Sequence, residues 1–96
     1  IIMINFSLQD KVALVTGGSY GIGFAIAKAY AEAGAKIAFN CRSQQHMDTA
    51  MQEFKALGID ALGFICDVTQ EAQVAEMVKA IEAQLGTIDI LVIKHE

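Results

Sequence analysis

Four short apolar runs alternate with three longer segments of helical periodicity, and no other feature of these 96 residues constrains the fold as tightly. KVALV (11–15), AKIAFN (35–40), ALGFIC (61–66) and IDILVI (88–93) read as strands. Between the first two, Ile22, Ala25, Ile26, Ala29, Tyr30 and Ala33 recur at the three- and four-residue spacing of a helix over 22–33. Six alanines between residues 25 and 35 favour that helix, and Gly34 ends it. Ser43 reads as the N-cap of a second helix with the apolar stripe Met47, Ala50, Met51, Phe54 and Leu57, ended by Gly58. Thr69 reads as the cap of a third, with Glu71 set against the helix dipole in its first turn. Its inward face is Val74, Met77, Val78, Ile81 and Leu85, and Gly86 closes it.

The order β-α-β-α-β-α-β with short connections implies a parallel sheet covered by helices. Right-handed crossovers then give the strand order 3-2-1-4. The expected fold class is α/β: a Rossmann-type three-layer α/β/α sandwich, truncated to a sheet of about four strands. The length suits one small domain, residues 1–96. A net charge of −4 lacks the basic stripe that a nucleic-acid partner needs. No apolar run approaches the roughly 18 residues of a membrane span. The opening IIMINFSLQDK has no basic n-region and no small-residue cleavage site, so a cytoplasmic location is expected. Cys41 and Cys66 form no CxxC and fit reduced thiols.

The stretch TGGSYGIG (16–23) follows the first strand directly, at the carboxyl end where ligands bind in such sheets. Gly17 can turn the chain with positive φ, Gly21 removes a side chain where backbone must approach a pyrophosphate, and Gly23 lets the helix start close to the strand. Free N–H groups and the helix dipole then face the anion. A P-loop is excluded, because Phe24 and Ala25 stand where its lysine and hydroxyl belong. The pattern GxGxxG laid on Gly21 and Gly23 meets Ile26 and fails. A plain tight turn is the bland alternative. The spacing that fits is GxxxGxG, through Gly17, Gly21 and Gly23.

TGGSYGIG after KVALV resembles the TGxxxGIG motif of the short-chain dehydrogenase/reductase family. CDVT (66–69) is similar to that family's adenine-contacting Asp-Val pair, and IDILV (88–92) to the strand leading into its Asn-Asn-Ala-Gly motif. Within the family, SYGIGFAIAKAYAEAG and FKALGIDALGFICDVT look most like the gluconate 5-dehydrogenases. The resemblance implies an oxidoreductase exchanging hydride between a nicotinamide dinucleotide and a sugar-acid or polyol hydroxyl or ketone. It implies cofactor contacts from Gly17, Ser19, Tyr20, Gly21, Ile22 and Gly23 of the loop, with Tyr20 either over the phosphates or facing solvent. It also implies that Asp67 accepts from the adenine amino group and that Val68 packs on or near the ring.

The end of strand 2 separates NADP from NAD. An acid roughly 20 residues beyond the glycines holds the ribose 2′-hydroxyl of NAD. Here Cys41 stands in that place and Arg42 follows it. An arginine offers a permanently charged planar fork for a 2′-phosphate, and Ser43 could add a hydroxyl or an N–H. NADP(H) is therefore expected over NAD(H). An exposed loop charge is the bland reading of Arg42, and helix initiation that of Asp67. The family's Tyr-x-x-x-Lys pair has no counterpart: positions 24 and 34, four beyond Tyr20 and Tyr30, are Phe and Gly. No catalytic residue is assigned, and Ile93-Lys94-His95-Glu96 replaces Asn-Asn-Ala-Gly. KHE lacks the partner histidine of a zinc motif, so no metal is expected. The expectation is a dinucleotide-binding segment of a longer parent enzyme, inactive alone. An inactive nucleotide-binding or interaction module, or a remnant without a role, are the alternatives. The apolar fourth strand, left as an edge, suggests a homo-oligomer.

Overall fold

A computed structural model of the chain describes residues 8–17 and 21–93. Four strands, β1 (Val12–Thr16), β2 (Lys36–Cys41), β3 (Ala61–Ile65) and β4 (Ile90–Val92), alternate with three helices, α1 (Gly21–Glu32), α2 (Gln44–Ala56) and α3 (Glu71–Gln84). The sheet runs β3-β2-β1-β4 with every pair parallel, as the alternation implies. Paired on both edges, β1 is buried along its whole length. That is why KVALV reads as a continuous apolar run rather than an alternating one.

Side chains leave the strands alternately to the two faces. Ala13, Val15, Ile37, Phe39 and Cys41 join Ala27 of α1 and Met47, Ala50 and Phe54 of α2 on one face. Val12, Leu14, Ala38 and Cys66 join Met77 and Ile81 of α3 on the other. The result is three layers with the sheet in the middle. Phe54 anchors the first face: its ring centroid lies 4.6 Å from that of Phe24 and 5.2 Å from that of Phe39. Both cysteines are free and buried, and their places in opposite clusters put the sheet between their side chains.

The helices lie where the periodicity places them, but three details differ. In α1 the buried positions are Gly23 and Ala27, with Phe24, Ile26, Tyr30 and Ala31 packed beside them, while Ala25 and Ala29 are exposed. Alanine at every second position lets the apolar stripe be drawn on opposite sides of the helix. The bulk of Phe24, Ile26 and Tyr30 decides which side meets the sheet. In α2, Met51 and Leu57 lie at the margin of the packed face and are exposed. In α3 the N-cap position is Gln70, which makes no side-chain cap, and Thr69, the expected cap, instead donates its hydroxyl to Asp67 Oδ1 at 2.7 Å. The expected stops at Gly34, Gly58 and Gly86 are each in place, and Ser43 caps α2 by accepting from the His46 N–H at 3.3 Å.

β4 is shorter than the run 88–93. Asp89 sets its register: its N–H donates to the Val12 carbonyl at 2.9 Å, and its Oδ2 accepts from the Val12 N–H at 3.0 Å. At the other end the Thr16 hydroxyl donates to the Val92 carbonyl at 3.3 Å. Among the described residues β4 pairs only with β1, and Leu91 and Ile93 are exposed. No described helix is long and apolar enough to cross a membrane.

Candidate functional site

The carboxyl ends of β1, β2 and β3 bring together the residues that the sequence singles out. Leaving β1, the chain turns at Gly17 with φ 69° and enters α1 at Gly21 with φ 60°. Both values lie in the left-handed region that a side chain disfavours, so glycine is needed at each end of the loop. Gly23 is buried, which lets α1 lie close to the sheet, and Ile22 is exposed. Ser19 and Tyr20 lie outside the described residues. The first turn of α1 carries no acidic residue, so its N-terminal partial positive charge is left for an anion. In contrast, α3 opens on Glu71.

At the end of β2, Cys41 is buried and its thiol donates to the Ser43 carbonyl at 3.3 Å. The expected acidic position therefore faces the core, and Arg42 is the first side chain to reach solvent, at 73% exposure. Its Nη2 lies 3.5 Å from Asp67 Oδ2 at the end of β3. Two residues expected to contact a dinucleotide thus contact each other. The Ser43 hydroxyl oxygen accepts from the His46 N–H as the α2 cap, a bond that does not use its O–H.

Asp67 Oδ1 accepts from both the hydroxyl and the N–H of Thr69, at 2.7 and 3.0 Å. Those two bonds hold its carboxyl below the ordinary value of 3.8; partial desolvation opposes them, and the Arg42 charge assists. Asp67 is thus a fixed carboxylate, an acceptor only. Val68 follows it, half exposed. Burial pushes the Cys66 thiol up, and the Asp67 charge adds to the shift, so Cys66 is an inert core group.

Two further residues belong to this cluster and were not legible as site residues. Asn40 is buried at 3% exposure, and the other buried residues of β2 are apolar. Its Oδ1 accepts from the Gly17 N–H and its Nδ2 donates to the Cys66 carbonyl, both at 3.1 Å. A polar residue breaking the apolar run of β2 was the available signal. Thr69 is the second, as the partner of Asp67; its place beside a turn could be read, its choice of partner could not.

Two open grooves of about 470 and 410 Å³ flank β3, one against α3 and one against α2. Neither is lined by Gly17, Gly21 or Arg42. What suits an anionic ligand is instead the set of polar strand ends: two left-handed glycines, an uncompensated helix start and an exposed guanidinium. No group of three or more metal-ligating side chains occurs among the described residues, and Lys94 and His95 lie outside them.

The family model described as short chain dehydrogenase matches residues 11–94. This chain belongs to the short chain dehydrogenase family. Gluconate 5-dehydrogenase of Gluconobacter oxydans is 44% identical over 87 residues, which is 91% of this chain and 34% of that protein. A probable NADP-dependent mannitol dehydrogenase of Yarrowia lipolytica is 42% identical over 91 residues, 95% of this chain and 33% of the relative. Among solved structures, 2-keto-3-deoxy-D-gluconate dehydrogenase from Streptococcus agalactiae superposes with a TM-score of 0.87 at 55% identity, over 91% of this chain and 33% of that one. The chain thus spans about a third of the length of the family members it matches.

Proposed function

We propose that these residues form the nucleotide-binding half of a short-chain oxidoreductase that uses NADP(H). Gly17, Ser19, Tyr20, Gly21, Ile22 and Gly23 would hold the pyrophosphate, Asp67 and Val68 the adenine, and Arg42 with Ser43 the 2′-phosphate. The observation that carries the reading is the convergence of Gly17, Gly21, Arg42 and Asp67 at the carboxyl end of a parallel sheet in the order 3-2-1-4. When bound, the nicotinamide supplies or takes up the hydride. The residues here bind and orient: N–H groups and the helix start neutralise phosphate, and Asp67, kept ionised by Thr69, offers an acceptor to an exocyclic amine.

Arg42 supports NADP(H) over NAD(H), and the name of the Yarrowia relative, a probable NADP-dependent mannitol dehydrogenase, points the same way. The Gluconobacter and Streptococcus relatives support a sugar-acid substrate for the whole enzyme. These 96 residues contain no Tyr-x-x-x-Lys pair, so their part is binding and not proton transfer. A cytoplasmic location and assembly into a homo-oligomer belong to the same proposal.

Calorimetric titration of the chain with NADPH and with NADH tests it. NADPH should bind the more tightly of the two. Binding of neither below millimolar concentration would defeat the reading in favour of a chain without a nucleotide role.

A further inference from the structure

We propose that Asn40 is a positioning residue of the dinucleotide site: a buried carboxamide crossbar that holds the start of the glycine loop against the strand end carrying Asp67. The inference rests on the functional reading above and deepens it. Asn40 is 3% exposed, and a carboxamide buried without partners is costly. Both of its ends are used, each on a different strand's exit. Oδ1 accepts from Gly17, 23 residues back, and Nδ2 donates to Cys66, 26 residues on. The orientation is forced, because a backbone N–H can only donate and a carbonyl can only accept.

The two partners are the first residues beyond the strands. Gly17 follows Thr16, the last residue of β1, and Cys66 follows Ile65, the last of β3. Peptide groups are planar, so fixing one atom of a peptide orients the rest. The Cys66 carbonyl and the Asp67 N–H share one such plane. Asn40 holds its oxygen, while Gln73 Oε1 accepts from its N–H at 2.9 Å. That plane aims Asp67, whose carboxylate then meets Thr69 and Arg42. The Gly17 N–H is shared between Oδ1 and the main-chain oxygen of Asn40, each at 3.1 Å, which sets the peptide plane from which the phosphate loop departs. An apolar side chain of the same size would fill the space but leave the Cys66 carbonyl unpaired. The carboxamide therefore does more than pack: it ties the pyrophosphate end of the site to the adenine end.

Two substitutions separate the two ends. Asn40→Asp keeps the side-chain acceptor for Gly17 and loses the donor to Cys66; Asn40→Leu loses both side-chain groups and leaves Gly17 only the main-chain oxygen of residue 40. Amide hydrogen exchange by NMR, thermal melting and titration with NADPH and NADH are measured on the chain and on each variant. In Asn40→Asp the Asp67 and Thr69 amides should exchange faster relative to the core amides of Phe39 and Ile81, with Gly17 little changed. In Asn40→Leu the Gly17 amide should accelerate as well, and dinucleotide affinity should fall about tenfold or more in both. Exchange at Gly17 and Asp67 that moves only in step with Phe39 and Ile81, or an unchanged affinity, would overturn the inference. If Asn40→Leu does not fold, Asn40→Asp and Asn40→Ser decide by the same readouts. If the unsubstituted chain binds neither dinucleotide, the functional reading fails, and the exchange data still decide whether Asn40 joins the two loops.

Discussion

Replacing Arg42 by alanine isolates the contact that distinguishes the two nucleotides. The guanidinium is 73% exposed, and among the described residues its ionic partner is Asp67 Oδ2 at 3.5 Å. Exposed pairs of this kind add little to folding stability, so the melting temperature should hold. Binding should not hold. Unit charges about 4 Å apart attract by about 1 kcal/mol in a water-like dielectric. A phosphate group carries roughly two charges near neutral pH, which gives about 2 kcal/mol, or about thirtyfold in affinity. The Asp67 carboxylate beside the guanidinium offsets part of that attraction. We therefore expect NADPH to weaken between about fivefold and thirtyfold and NADH to stay within about twofold. Calorimetry at low salt, repeated at about 0.5 M salt, checks both. The difference between the nucleotides should shrink as screening shortens the reach of the charge. Equal losses for the two nucleotides, or tighter NADH binding by the unsubstituted chain, would refute the assignment of Arg42 to the 2′-phosphate.

The remaining expectations concern the core and the ionisation of Asp67. Phe54→Ala empties a site of 1% exposure between Phe24 and Phe39, and should cost about 3–5 kcal/mol in urea unfolding; under about 1 kcal/mol would contradict the packing described. Thr69→Val removes the hydroxyl that contributes most to lowering the Asp67 pKa, so an NMR titration should find that pKa moved up toward 3.8. A depressed carboxylate pKa stabilises the fold above 3.8 and loses that contribution as pH falls through the lowered value. The stability gap between the chain and Thr69→Val should accordingly be full above pH 3.8 and close below it; a gap that widens in acid would show the sign to be wrong.

Much of the fold was legible because it rests on local signals. The apolar runs, the glycine stops and the Ser43 cap each act within a few residues, and β-α-β alternation leaves few ways to connect parallel strands. The turn at Gly17 was legible for the same reason, and its φ is left-handed; the left-handed φ of Gly21, a residue the sequence marks only for close backbone approach, was not. Alternate alanines could not say which side of α1 faces the sheet, because bulk elsewhere on the helix decides it. Thr69 stands where the sequence suggests a cap, but α3 begins one residue later, with Gln70 at the N-cap, and the Thr69 hydroxyl donates to Asp67 two residues back.

Asn40 shows where local reading stops. Its identity is one letter in β2, and its two partners come from strands 23 and 26 residues away. The sequence by itself determined the family, the strand order and the glycine spacing, since periodicity, turn chemistry and motif spacing act along the chain. Only the tertiary structure decided that Cys41 turns into the core, that Arg42 reaches Asp67 and that one buried carboxamide joins two strand ends. Hydrogen bonds and ion pairs of that kind depend on distances across the sheet, and those exist only once the strands are laid side by side.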